Sequence, residues 1–196
     1  AAKHCVEASL ALTFLYLWMK SWQAVFSSQL KARLAGEESP SWTGRRVARL
    51  VLAQAIYQPY SFIALPIGMI VTLPFGWLYA FYQNLSVVGD GSEGDLREVL
   101  KKSWRHASHW PIQNHVLISV IFLFALFVFV DVAIVILFIP MMLKMLLGIE
   151  SNFTLSGWHV LNTTFFATVT GLGYLCINPL AKAVYVLRCF YSESSQ

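Results

Sequence analysis

Asp131 is the residue whose type and position most invite chemistry, because after His115 it is the single ionisable group until Lys144, beyond Met142. A carboxylate in so apolar a run is costly unless protein, water or a partner faces it, and such groups serve ion and proton paths or helix contacts. Histidine is the second candidate type, since a neutral imidazole is a good axial ligand for a haem or a chlorophyll. His115 opens one apolar run and His159 opens the next. In the topology derived below they stand at opposite membrane faces, which argues against a bis-histidine haem and leaves each as a weak single-ligand candidate. The cofactor is therefore unassigned. No catalytic residue is expected, for the sequence holds no G-x-S-x-G, H-E-x-x-H, P-loop or Rossmann pattern. No metal site is expected either. Cys5, Cys176 and Cys189 lack C-x-x-C spacing and read as buried free thiols.

The elements that must position these residues follow from composition. Of 196 residues, 57% are hydrophobic and 12% charged, about half the charged share of a soluble domain. The mean hydropathy is +0.60. Four apolar regions run from Val6 to Phe26, Val47 to Tyr82, Val116 to Pro140 and Val160 to Cys176. Crossing a bilayer takes roughly 20 residues, so the chain reads as a single all-α integral membrane domain, a polytopic transmembrane bundle with amphipathic interfacial helices. The second region is long enough for two short spans and contains Pro59, Pro66, Gly68 and Pro74. Proline bends or ends a helix, and a hairpin turning near Pro66 is expected.

Positive charge supports that hairpin. Lys31, Arg33, Arg45, Arg46 and Arg49 fall in the connection before it, and Arg97, Lys101, Lys102 and Arg105 in the connection after it. A hairpin puts both basic loops on the cytoplasmic face, where Lys and Arg concentrate. A C-terminal tail with Lys182 and Arg188 then joins them, the connection from Met141 to Trp158 is external, and the spans number about five. Ala1 would lie outside. The chain therefore reads as a fragment lacking its native N-terminus, with a further helix expected upstream.

The second basic loop carries an amphipathic helix. Leu96, Val99, Leu100, Ser103, Trp104 and Ala107 follow the i, i+3, i+4 pattern, and Arg97, Lys101, Lys102 and Arg105 take the other side. Asp95 is the expected N-cap. Such a helix can lie on an anionic leaflet or pack as a solvated helix on its neighbours. A loose repeat relates Gly36 to Pro59 with Gly89 to Pro111, each a basic stretch closing on an aromatic and a proline. Asn152-Phe153-Thr154 and Asn162-Thr163-Thr164 match the glycosylation triplet.

Two stretches carry a family resemblance. Pro74-Phe75-Gly76-Trp77 with Ala80-Phe81-Tyr82-Gln83-Asn84, and the ending from Asn178-Pro179 through Lys182 and Tyr185 to Arg188, resemble an uncharacterised group of bacterial multi-pass proteins. That group is similar to the membrane domain found beside glycerophosphodiester phosphodiesterases. The resemblance implies an inner-membrane helical bundle with no assigned activity, and no phosphodiesterase catalytic residue is matched here. The expected function is a non-catalytic membrane subunit or scaffold, with membrane lipid and other integral membrane subunits as partners and no nucleic acid. The alternative is a small transporter or channel component using broken helices near Pro59, Pro66 and Pro74 and the intramembrane Asp131.

Overall fold

A computed structural model describes residues 4–38, 40–71, 75–92, 95–150 and 161–194. Every regular element among them is helical: α1 (Cys5–Ala35), α2 (Gly44–Tyr57), a 3-10 turn (Gln58–Tyr60), α3 (Ser61–Val71), α4 (Phe75–Val88), α5 (Leu96–His109), α6 (Pro111–Leu147) and α7 (Thr163–Ser194). Three segments among the described residues are long and apolar enough to cross a membrane, namely Gly44–Val71, Pro111–Leu147 and Thr163–Glu193. The expected span in α1 is not one of them. Lys20 and Gln23 interrupt its apolar run.

Local sequence explains where the helices begin and end. Thr43 accepts the Arg46 N–H at the start of α2, and Asp95 accepts the Arg97 N–H at the start of α5, as its N-cap position predicts. Asn162 does the same for Phe165 in α7, which gives the second glycosylation triplet a structural part. Gly36 closes α1 in the left-handed conformation, at φ 70°.

Proline does not act as expected. Pro66 lies inside α3, Pro140 inside α6 and Pro179 inside α7. The hairpin therefore does not turn near Pro66: α3 runs on to Val71 and α4 begins at Phe75, while residues 72–74, Pro74 among them, lie outside the described ones. A helix tolerates an internal proline when neighbours satisfy the freed carbonyl. Pro59 does interrupt, within the 3-10 turn between α2 and α3. At 14 residues α4 is about 21 Å long, short of a hydrocarbon core of roughly 30 Å.

The chain divides into two compact units, residues 1–116 with 182–196, and residues 117–181. In the first, α4 packs antiparallel to both α3 and α5. Trp77 meets Trp104 edge-on at 4.2 Å and donates to Ser108 Oγ at 3.1 Å, while Tyr82, Leu85 and Val99 form a buried apolar cluster. Gly91 (φ 80°) turns the chain where a β-carbon would strike the Arg46 carbonyl.

In the second unit, Phe165 and Val169 of α7 are buried against Phe129, Val132, Ala133, Ile136 and Leu137. Those five occupy an i, i+3, i+4, i+7, i+8 stripe of α6. Most of α6 is left uncovered: Asn114 and Ile121 alone are buried among its 37 residues. Cys5 and Cys176 are exposed and Cys189 buried, all free. The expectation of three buried thiols thus holds at one position, because the apolar faces that carry the other two are not covered by the fold.

Candidate functional site

The polar groups that the structure brings together lie in the first unit, on faces of α1, α4 and α7 that contain no catalytic motif. Lys182 and Arg188, expected in a solvated C-terminal tail, are instead buried side chains of α7. Spacing explains it. Residues 182, 185, 189 and 192 recur at helical intervals and turn one face of α7 inward, with Arg188 beside them.

Arg188 ties α7 to the junction of α5 and α6. Its Nη1 donates to Asn114 Oδ1, its Nη2 to the Trp110 carbonyl at 3.2 Å, and Asn114 Nδ2 donates in turn to the Ala107 carbonyl at 2.7 Å. One turn on, His106 Nδ1 lies 3.4 Å from Ser192 Oγ and Nε2 lies 3.6 Å from Glu193, which also pairs with Lys31 of α1 at 2.8 Å. α4 meets α7 here. Tyr79 packs edge-on against Tyr185 at 5.9 Å, and the Cys189 thiol donates to Asn84 Oδ1 at 3.4 Å.

A second polar group surrounds Asp90. Arg46 Nη2 approaches Asp90 Oδ2 at 2.5 Å, Ser28 Oγ donates to the same oxygen at 3.0 Å, and Arg46 Nε reaches the Asp90 carbonyl at 3.1 Å. Arg45, Arg46 and Arg49, expected in a loop, begin α2, and Arg46 turns inward. A cleft of about 570 Å³ opens beside the pair, bounded by Ser28, Lys31, Glu37, Arg46 and Glu193. Deeper in, Gln58 Nε2 donates to Ser86 Oγ at 3.0 Å and Gln54 Nε2 to the Gly89 carbonyl at 3.4 Å. These bonds run between helices and fix how they are registered.

The residues singled out from sequence are placed apart. Arg97, Lys101 and Arg105 are exposed on α5 and Lys102 is half-buried, opposite the buried Val99, Ser103, His106 and Ala107. Lys101 reaches Glu98 at 3.9 Å. Asp131 is in the second unit, exposed, next in sequence to Val132 but not itself among the positions of α6 that face α7. No hydrogen bond or ion pair joins it to the other described residues. His115 stacks over Gly76, where a β-carbon would come within 2.8 Å of its Nδ1. His159 lies outside the described residues. Among those described, no group of three His, Cys, Asp or Glu side chains is placed to hold a metal.

Sequence reading missed Lys182, Asn114, Asn84 and Gln23 as site residues. The helical spacing of the ending from Asn178 to Arg188 was the available signal. Compared with protein-family models, curated proteins and solved structures, the chain matches none.

Proposed function

We propose that the chain is a non-catalytic subunit or scaffold of a bacterial cytoplasmic membrane, packing against lipid and other integral membrane proteins. Asp131 carries this reading. It sits in an apolar helix, exposed, off the stripe that meets α7, and without a partner among the described residues. An ionisable group inside a span is rarely left to lipid, so a donor on a helix of another subunit is the matching surface. The uncovered length of α6 points the same way. Its apolar side chains need lipid or protein outside this chain.

The finer topology belongs to the same proposal. α1 and the α3–α4 hairpin count toward about five passages, the basic loops face the cytoplasm, and α5 lays Arg97, Lys101, Lys102 and Arg105 toward an anionic leaflet. The likeness to bacterial multi-pass proteins agrees with a role of this kind. A transporter or channel component is the second reading, favoured by the broken helix at Gln58–Tyr60 with Gln54 and Gln58 buried beside it.

Substitution of Asp131 separates the two. Asp131→Asn keeps a hydrogen-bonding side chain and is expected to co-purify with its partners like the parent, whereas Asp131→Leu weakens assembly by about 1 kcal/mol. Loss of ion or solute flux in Asp131→Asn with assembly unchanged would replace the scaffold by the second reading.

A further inference from the structure

The seam between α1 and α7 in the first unit is rich in donors. Lys182 is 1% exposed, and its Nζ has no hydrogen-bond partner among the described residues. Lys31 pairs with Glu193, and eleven residues earlier on each helix, about three turns back, stand Lys20 and Lys182. Tyr16 reaches Gln58, which bonds to Tyr82, and Ser28 bonds to Asp90, so α1 runs in the direction of α4; Tyr79 meets Tyr185 and Asn84 meets Cys189, so α7 runs in that direction too. That register carries Gln23 to the level of Tyr185, and both atoms of the Gln23 amide and the Tyr185 hydroxyl are likewise buried without a partner. Two ammonium groups, an amide and a hydroxyl thus share one short stretch of the seam, and no carboxylate is bonded to either lysine among the described residues.

A buried cation without a counter-charge is among the costlier arrangements in a fold, and a second cation beside it adds to the cost. An anion with several acceptor oxygens reverses the balance, since both ammoniums donate charge-assisted bonds to it while the amide and hydroxyl take the remaining oxygens. A way in exists at Lys20, which is half-buried with its Nζ 5.5 Å from the Tyr16 ring and has the exposed Trp18 and Trp22 on either side in sequence. Tryptophan and tyrosine around a lysine mark the headgroup level of a bilayer.

We infer that Lys20 and Lys182, with Gln23 and Tyr185, bind a phosphate group in the α1–α7 seam, from a lipid headgroup or from free phosphate. The site needs no partner subunit. It shares with the scaffold reading only the membrane setting, which one arm of the test does without.

The test uses the full chain, stripped of lipid in a neutral detergent, and follows its thermal unfolding midpoint against added inorganic phosphate, phosphatidylglycerol or diacylglycerol, the last having no phosphate. A ligand of the folded state raises the midpoint with concentration. Phosphatidylglycerol is expected to raise it and diacylglycerol not, with apparent affinity about tenfold weaker in Lys182→Met and in Lys20→Met. An equal rise with inorganic phosphate assigns the site to free phosphate, and a rise with phosphatidylglycerol alone assigns it to the headgroup. If Lys182→Met fails to fold, the half-buried Lys20→Met carries the comparison. The inference is overturned if neither phosphate-bearing probe moves the parent's midpoint, or if the variants respond as the parent does.

Discussion

The two compact units solve opposite problems with parts of the same two helices, α6 and α7. The first buries Gln54, Gln58, Asn84, Ser86, Asn114 and Arg188, and joins its helices through directional bonds between them. In the second, the buried residues among those described are Ile121, Phe165, Val169, Gly173 and Ala181, none with a polar side chain, and most large side chains of α6 are turned outward. In water the first arrangement would be ordinary and the second unstable. In lipid, an apolar contact between helices gains little over contact with acyl chains, whereas a polar group without a partner costs a great deal. Specificity in such a molecule therefore resides where the polar groups are, and apolar surface is what it offers to its surroundings.

The contrast can be sharpened first at the surface of α5. A peptide covering Asp95 to Trp110 is expected to bind anionic vesicles at low salt. Changing Arg97, Lys101, Lys102 and Arg105 to Gln should weaken that binding by about 4 kcal/mol, near 1 kcal/mol for each of the four cations. Equal binding by both peptides at low and high salt would remove the electrostatic part and leave α5 a packing helix.

Within the first unit, Arg188→Leu strips Asn114 Oδ1 and the Trp110 carbonyl of their donor, and should lower stability in detergent by about 2 to 3 kcal/mol, with part of it recovered by Arg188→Lys. A loss below about 0.5 kcal/mol would show that the directional bonds are dispensable. Gly91→Ala adds a β-carbon at positive φ against the Arg46 carbonyl and should cost about 2 kcal/mol. The measurement is the unfolding midpoint, and an unchanged value would mean that the Arg46–Asp90 pairing yields easily.

The smallest effect is expected in the second unit. Phe165→Ala would cost about 3 to 5 kcal/mol in a water-soluble core, but about 1 kcal/mol is expected where lipid can take the place of the ring. A loss near the larger figure would break the comparison, because α6 and α7 would then hold each other as core helices do.

Sequence made some of this plain and concealed the rest for physical reasons. The α5 helix was legible because cap, apolar positions and basic positions all agreed. α6 was legible because its apolar run has few readings. Pro66 misled, since proline signals a break only where the freed carbonyl goes unsatisfied, and helix packing decides that. Lys182 and Arg188 misled for a related reason. Charge near a chain end reads as solvated, yet their period along α7 places them on the face that meets the other helices. Gln23, Asn84 and Asn114 gave no signal, because an isolated amide in an apolar stretch acquires meaning only from what lies opposite it.

The burial of Arg188 also bears on the order in which the chain is built into a membrane. A segment with both Lys182 and Arg188 in its second half enters the bilayer less readily by itself, for a cation costs up to about 2.5 to 3.5 kcal/mol where it nears the centre. Arg188 bonds to Asn114, which lies 74 residues earlier in the chain. By the time α7 leaves the ribosome, the acceptors that make its insertion favourable have long been synthesised. The insertion of α7 is thus conditional on the earlier helices, and a chain whose Asn114 and Trp110 are misplaced would leave α7 outside the membrane, exposed to quality-control proteases.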